Sequence, residues 1–231
     1  MPGNYTGGAG IVSIEDHERQ RRMAPLRQVE AYWRALCSAG EIPARGQIDP
    51  RGMQDALEYA FLMERIAPGM AKLRVAGAHL SDLMGMEMAG MPLSSLILPE
   101  SREAVSEGVA ALFADPAIVR MQLKAQGGLG KPELQADLLL MPLRSDFGDV
   151  TRALGVLVSH GRIGRTPRRF VLEGMTLCPA VSPTATEAPG IVQADVQHRP
   201  EPQRQPGLAE DRAAFKPAAR RGHLRLIVSN D

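Results

Sequence analysis

Residues 117–160 read AIVRMQLKAQGGLGKPELQADLLLMPLRSDFGDVTRALGVLVSH, and the fold turns on this stretch. Side chains alternate between the two faces of a strand. In 117–124 that rule sets Val119, Met121 and Leu123 on one face and Arg120, Gln122 and Lys124 on the other. QGGLGKPE (126–133) is turn chemistry, 134–143 is a second strand, RSDFGD (144–149) a second turn, and 150–160 a third strand. Strands joined by such short connections are antiparallel neighbours.

Upstream of these strands the periodicity turns helical. Val105, Val109, Leu112 and Phe113 share one face of a helix expected over 100–113, and 79–84 forms a shorter one. Before them, Pro68-Gly69 fits the central positions of a type II turn. We therefore read LEYAFLMERIAPGMAKLRVAG (57–77) as a hairpin, although its first half has the propensity to continue a helix. Asp49-Pro50 supplies an N-cap and a first-turn proline for a short helix. At the start, Met23, Leu26, Val29, Trp33 and Leu36 recur at spacings of three and four, the stripe of an amphipathic helix. Ser13 with Asp16 resembles its capping box, and Gly40 its stop. Two strands, a helical segment and three strands make an α+β domain, with one sheet face covered and the other partly open.

Composition sets the limits. The chain has 231 residues, with 27 basic and 26 acidic side chains and a net charge of +1, which excludes a generally basic nucleic-acid binder. No apolar run reaches the ~18 residues of a membrane span, and the N-terminus lacks a secretory pattern. Cys37 and Cys178 are too few for a disulfide framework or a four-ligand zinc site, so the expected setting is the cytoplasm. Residues 1–13 read as a flexible start and 14–172 as the domain. Residues 173–221, rich in proline and arginine, read as a disordered linker. GHLRLIVS, within 222–231, alternates like a strand or docking peptide.

Three segments carry a resemblance: WRALCSAGEIPARGQIDPRGM (33–53), FLMER (61–65) and LRVAGAHLSDLMGMEMAGMPL (73–93). Together they resemble a PAS-related regulatory family common in alphaproteobacteria. Trp33, Ile42, Pro43, Arg45, Ile48, Asp49, Pro50, Arg74, Ala76, Gly77, Leu80, Gly85 and Gly90 stand at the matching places, over about 27–172. The resemblance implies a PAS-like five-stranded antiparallel sheet with helices on one face. It also implies a sensory or protein-interaction role without catalysis. Members of the wider PAS group often hold a small molecule between sheet and helices, or dimerise through the sheet or the N-terminal helix.

The side chains offer little chemistry. His79, in the short helix, and His160, ending a strand, read as surface or hydrogen-bonded histidines rather than haem ligands. Cys37 and Cys178 lie outside any flavin-reactive helix pattern, and aromatic content is 4%. Met84, Met86, Met88 and Met91 read as core filler or as an adaptable contact surface, not a copper site. Ser94, Ser95 and Ser101 lack a nucleophile elbow, and Gly127 to Lys131 lacks a full phosphate-loop pattern. We expect no catalytic residue, no metal site and no assigned cofactor.

If a small ligand binds, the expected lining is Leu80, Met84, Leu96, Leu138 and Leu157. The expected interaction residues are Leu224, Leu226, Val228, Met86 and Met88. Arg162, Arg165, Arg168 and Arg169, with Lys216, Arg220, Arg221 and Arg225 in the tail, read as solvated basic groups able to meet an anionic partner. Asp49 reads as a helix cap and Arg74 as a structural group whose fork can pair a carboxylate, with a ligand clamp as the alternative. The expected function is signalling through a protein partner. A ligand-binding sensor is the alternative, and an amphipathic first helix makes a homodimer reasonable. Nothing points to specific nucleic-acid reading.

Overall fold

The computed structural model describes residues 21–38 and 40–181. The chain order is α1 (Ala24–Leu36), 3-10 turns at Arg45–Gln47 and Pro50–Tyr59, β1 (Ala60–Ala67), β2 (Met70–Ala76) and α2 (Ala78–Met84). Short 3-10 turns at Leu93–Leu96 and Pro99–Ser101 lead to α3 (Arg102–Ala114). Then come β3 (Ala117–Ala125), β4 (Leu134–Arg144), β5 (Val150–His160) and β6 (Phe170–Pro179). All strands pair antiparallel in one sheet, in the order β2-β1-β5-β4-β3-β6. The architecture is α+β and PAS-like.

Local chemistry sets the boundaries. Asp49 Oδ1 accepts from Arg51 N at 2.9 Å, capping the 3-10 segment that Pro50 opens. Gly69, with φ of 68°, turns β1 back as β2. Gly77 crosses directly against the Glu58 and Ala60 carbonyls, where any Cβ would collide with backbone. Gly85 ends α2 in the left-handed region, at φ 70°, against the Thr166 side chain.

The sheet is packed on both faces. On one, α2, α3 and the turns between them bury Phe61, Leu73, Leu80, Leu83, Leu112 and Phe170, among others. On the other, α1 and the Pro50–Tyr59 segment bury Leu26, Val29, Trp33, Met53, Leu139, Met141 and Val156. The Trp33 indole N–H donates to the Pro142 carbonyl at 3.0 Å, and the side chain is fully buried. Glu30 ties the same helix to β3 through Arg120, at 2.6 Å.

Four differences from the sequence reading follow. The sheet has a sixth strand. It spans 170–179 and so crosses the boundary expected at 172, because it pairs with β3 along its whole length. Helices cover the expected face, but the opposite face is covered too, by α1. That use of its apolar stripe removes the stripe as a reason to expect a dimer through this helix. Finally, α1 ends at Leu36, well before Gly40. The capping pair Ser13 and Asp16, the 1–13 segment, most of 173–221, and 222–231 lie outside the described residues.

Candidate functional site

The five residues expected to line a ligand pocket do come together. Leu80, Met84, Leu96, Leu138 and Leu157 all sit in the helix-side core, each at most 5% exposed. The space at the flank of that core is a largely apolar cleft of about 200 Å³ between β2 and α3. Leu93, Val105, Ser106 and Val109 line it, and none of the five does. Drug-sized ligand pockets occupy about 300–1,000 Å³. The methionine cluster divides. Met84 and Met88 are buried, while Met86 is 49% exposed. Met88 is therefore a core residue, not the interaction residue expected, and Met86 alone of that pair can reach a partner.

On the opposite face, at the β2 end, two arginines gather around a carboxylate. Glu64 on β1 stands directly across from Arg152 on β5. A register shift after Leu62 brings Arg74 of β2 to the same oxygen, and both guanidinium groups bond Glu64. Burial raises the Glu64 pKa, but the two arginines outweigh it and hold the carboxyl below its usual range. Arg45, Arg74, Arg152, Ser145 and Asp146 border an open cleft of about 400 Å³ here. Glu30 is held low in the same way, against burial, by Arg120 and Arg34.

Several other polar groups are held within the fold. His79 Nε2 accepts from Ser159 N at 3.2 Å, and its ring meets Tyr59 edge-on at 4.9 Å. Burial, aided by the neighbouring His160, lowers its pKa against the opposing pull of Glu58 and Asp82. His160 Nε2 lies 2.6 Å from Asp137. Ser101 Oγ accepts from Leu172 N at 2.9 Å, and the Ser95 hydroxyl donates to Pro92 O at 2.7 Å. Burial raises the Cys37 thiol, and both described cysteines are free. Gly128 and Lys131 bond each other's backbone, so 126–133 is a hairpin turn between β3 and β4. Among the described residues no cluster of His, Cys, Asp or Glu has the shape of a metal site.

Arg168 departs from the surface reading given to its cluster. It is 1% exposed and donates to the carbonyls of Ile163 and Pro132. Among the described residues no carboxylate pairs with it and its Nε has no partner. It locks the 161–169 loop to the 126–133 turn. Arg162, Arg165 and Arg169 remain exposed, as expected. Lys216, Arg220, Arg221 and Arg225, with Leu224, Leu226 and Val228, lie outside the described residues.

The sheet's two edges differ. The outer side of β2 is partly covered by 90–92, through Leu73 N to Met91 O at 2.9 Å and Gly90 N to Leu73 O at 2.8 Å. Residues 97–101 cover the start of β6. Past Leu172, no described residue pairs with the outer side of β6, and Leu177 there is 46% exposed.

Helices α2 and α3 lie in the chain between the second and third strands of a sheet ordered 2-1-5-4-3-6. Residues 21–158 match the family model described as the PAS domain, and this chain belongs to that family. One solved structure, described as "Structure of an RNA-binding Light-Oxygen-Voltage Receptor", is similar at 20% identity and a TM-score of 0.36. The similarity covers 53% of this chain and 37% of that one. Among curated proteins, none matches the sequence. No enzyme family is indicated, and no described helix is long and apolar enough to cross a membrane.

Proposed function

We propose that this chain is a non-catalytic signalling protein of the alphaproteobacterial single-PAS type, acting in the cytoplasm through contact with a protein partner. The observation that carries this reading is the outer edge of β6 past Leu172, with which no described residue pairs. Both sheet faces are occupied by the chain's own helices, whereas this edge presents backbone donors and acceptors and the exposed Leu177. An extended partner segment adds to such an edge by main-chain hydrogen bonds. Leu224, Leu226 and Val228 supply a second, alternating contact segment. Arg74, Asp49, Pro50, Trp33, Gly77, Gly85 and Gly90 serve the fold that presents these surfaces.

The test compares partners recovered from host lysate by the full chain, by Leu177→Lys and by a deletion of 222–231. A lysine on an edge strand blocks pairing. Loss of a partner with either variant, at an unchanged melting temperature, supports the reading. A partner set unchanged in both variants refutes it.

A second reading, a sensor holding a small molecule, is favoured by the apolar cleft between β2 and α3. At about 200 Å³ it suits only a compact apolar ligand. Native mass spectrometry of protein purified from its host decides between the two. A stoichiometric extra mass supports the sensor, and a bare chain leaves protein contact as the function.

A further inference from the structure

Two hairpin tips project from opposite ends of β4, and each carries a large apolar side chain in full solvent. Leu129 in the 126–133 turn is 95% exposed, and Phe147 in the 145–149 turn is 94% exposed. Their surroundings have opposite sign. Phe147 stands between Asp146 and Asp149. Leu129 stands beside Lys131 in a turn fastened to the basic 161–169 loop. Arg165 N bonds Gly130 O at 2.8 Å, Lys131 Nζ bonds Pro167 O at 2.9 Å, and Gln126 N reaches Arg169 O.

Arg162, Arg165 and Arg169 are exposed and form no ion pair with a described residue. In that turn Glu133 is already 3.5 Å from Lys124. Gly85 abuts Thr166 of the same loop, and Met86, next in the chain, is half exposed. One end of the domain thus combines a protruding leucine with four cations that no described carboxylate pairs, and the loop that carries three of them abuts the segment of exposed Met86 and Glu87.

We propose that this end docks on an anionic lipid bilayer, with Leu129 entering the headgroup boundary and Lys131, Arg162, Arg165 and Arg169 meeting lipid phosphates. The chemistry favours lipid over nucleic acid. Single-stranded nucleic acid is held by aromatic stacking as well as charge. Neither 126–133 nor 161–169 contains an aromatic residue. An apolar residue on an exposed tip fastened to a basic loop is what an anionic interface rewards, because the apolar group leaves water while the charges stay at headgroup depth. The chain's overall charge of +1 keeps this a local, oriented attachment instead of general adhesion.

The experiment is cosedimentation of the full chain with vesicles of phosphatidylcholine and phosphatidylglycerol, mixed about 3:1, against phosphatidylcholine alone. The wild type should bind the anionic vesicles and leave the neutral ones. Leu129→Gln should lower partitioning about tenfold. Arg165→Gln with Arg169→Gln should lower it about 30-fold, since each arginine near an anionic leaflet contributes about fivefold. Phe147→Gln, at the acidic tip, should bind as the wild type does.

All of these positions are exposed, so melting temperatures should match the wild type and folding loss is separable. Absence of wild-type binding, or binding unchanged by Leu129→Gln, overturns the proposal. So does oligonucleotide binding that needs the two arginines and ignores Leu129, which assigns the patch to nucleic acid. Leu177→Lys, the variant that tests partner contact, should keep vesicle binding, so the two readings fail independently.

Discussion

Trp33 holds the second helical layer to the sheet, and replacing it with Phe tests how firmly. The substitution deletes the indole N–H and leaves the Pro142 carbonyl buried without its donor. An unsatisfied buried polar group costs about 1–3 kcal/mol. The smaller ring adds roughly 1 kcal/mol for the space left behind. Together they come to roughly 2–4 kcal/mol. A domain of about 160 residues loses about 2–4 °C per kcal/mol, so the melting temperature should fall by roughly 4–16 °C. Trp33 is the chain's only tryptophan, so the variant must be followed by circular dichroism. Hydrogen exchange should show faster opening in α1 than in α3. A melting temperature within about 2 °C of the wild type, with α1 amides equally protected, refutes the claim that this bond anchors the layer.

Other outcomes follow from single contacts. Gly77→Ala should lower stability by about 2 kcal/mol or more, because its Cβ meets carbonyls that cannot move without breaking the start of β1. Glu64→Gln frees Arg74 and Arg152 at a partly exposed site, so the thermal shift should be small, about 1 kcal/mol at most. His79 has a folded pKa below its ordinary 6.5, so the unfolded chain takes up its proton first. Stability should therefore decline as pH falls below 6.5, and His79→Gln should flatten that decline in thermal melts. Arg168→Ala should cost roughly 3 kcal/mol, through a cavity and two orphaned carbonyls, and should raise proteolysis within 161–169.

Much of this was legible in the residues. Alternation in 117–124 and the two polar turns set out β3, β4 and β5, and Pro68-Gly69 marked the first hairpin. The covered second face was also written there, in the unbroken apolar run of 138–143. There Leu138 and Leu140 enter one core while Leu139, Met141 and Leu143 enter the other. Continuous apolar strands are the mark of burial on both faces.

Strand β6 was hidden for a physical reason. Its stretch, FVLEGMTLCP, breaks alternation at the register shift beside Gly174 and lies next to proline-rich sequence. Leu80, Met84, Leu96, Leu138 and Leu157 share one buried group. Periodicity reports burial, however, and does not say whether buried residues enclose space. Nor does spacing reveal that Arg168 folds inward while its neighbours stay in water, since that depends on carbonyls supplied by another loop.

The family match ends at 158, inside β5, yet β6 lies over the flank of β3. That strand acts as a guard. A proteolytic cut in 161–169 that released it would expose the backbone of β3 beside Ile118 and Val119, an apolar strand next to the middle of the sheet. Bare edges of this kind recruit strands from other molecules. The smallest well-behaved fragment therefore extends to about 181. Anything shorter is a candidate for strand exchange between copies and for aggregation.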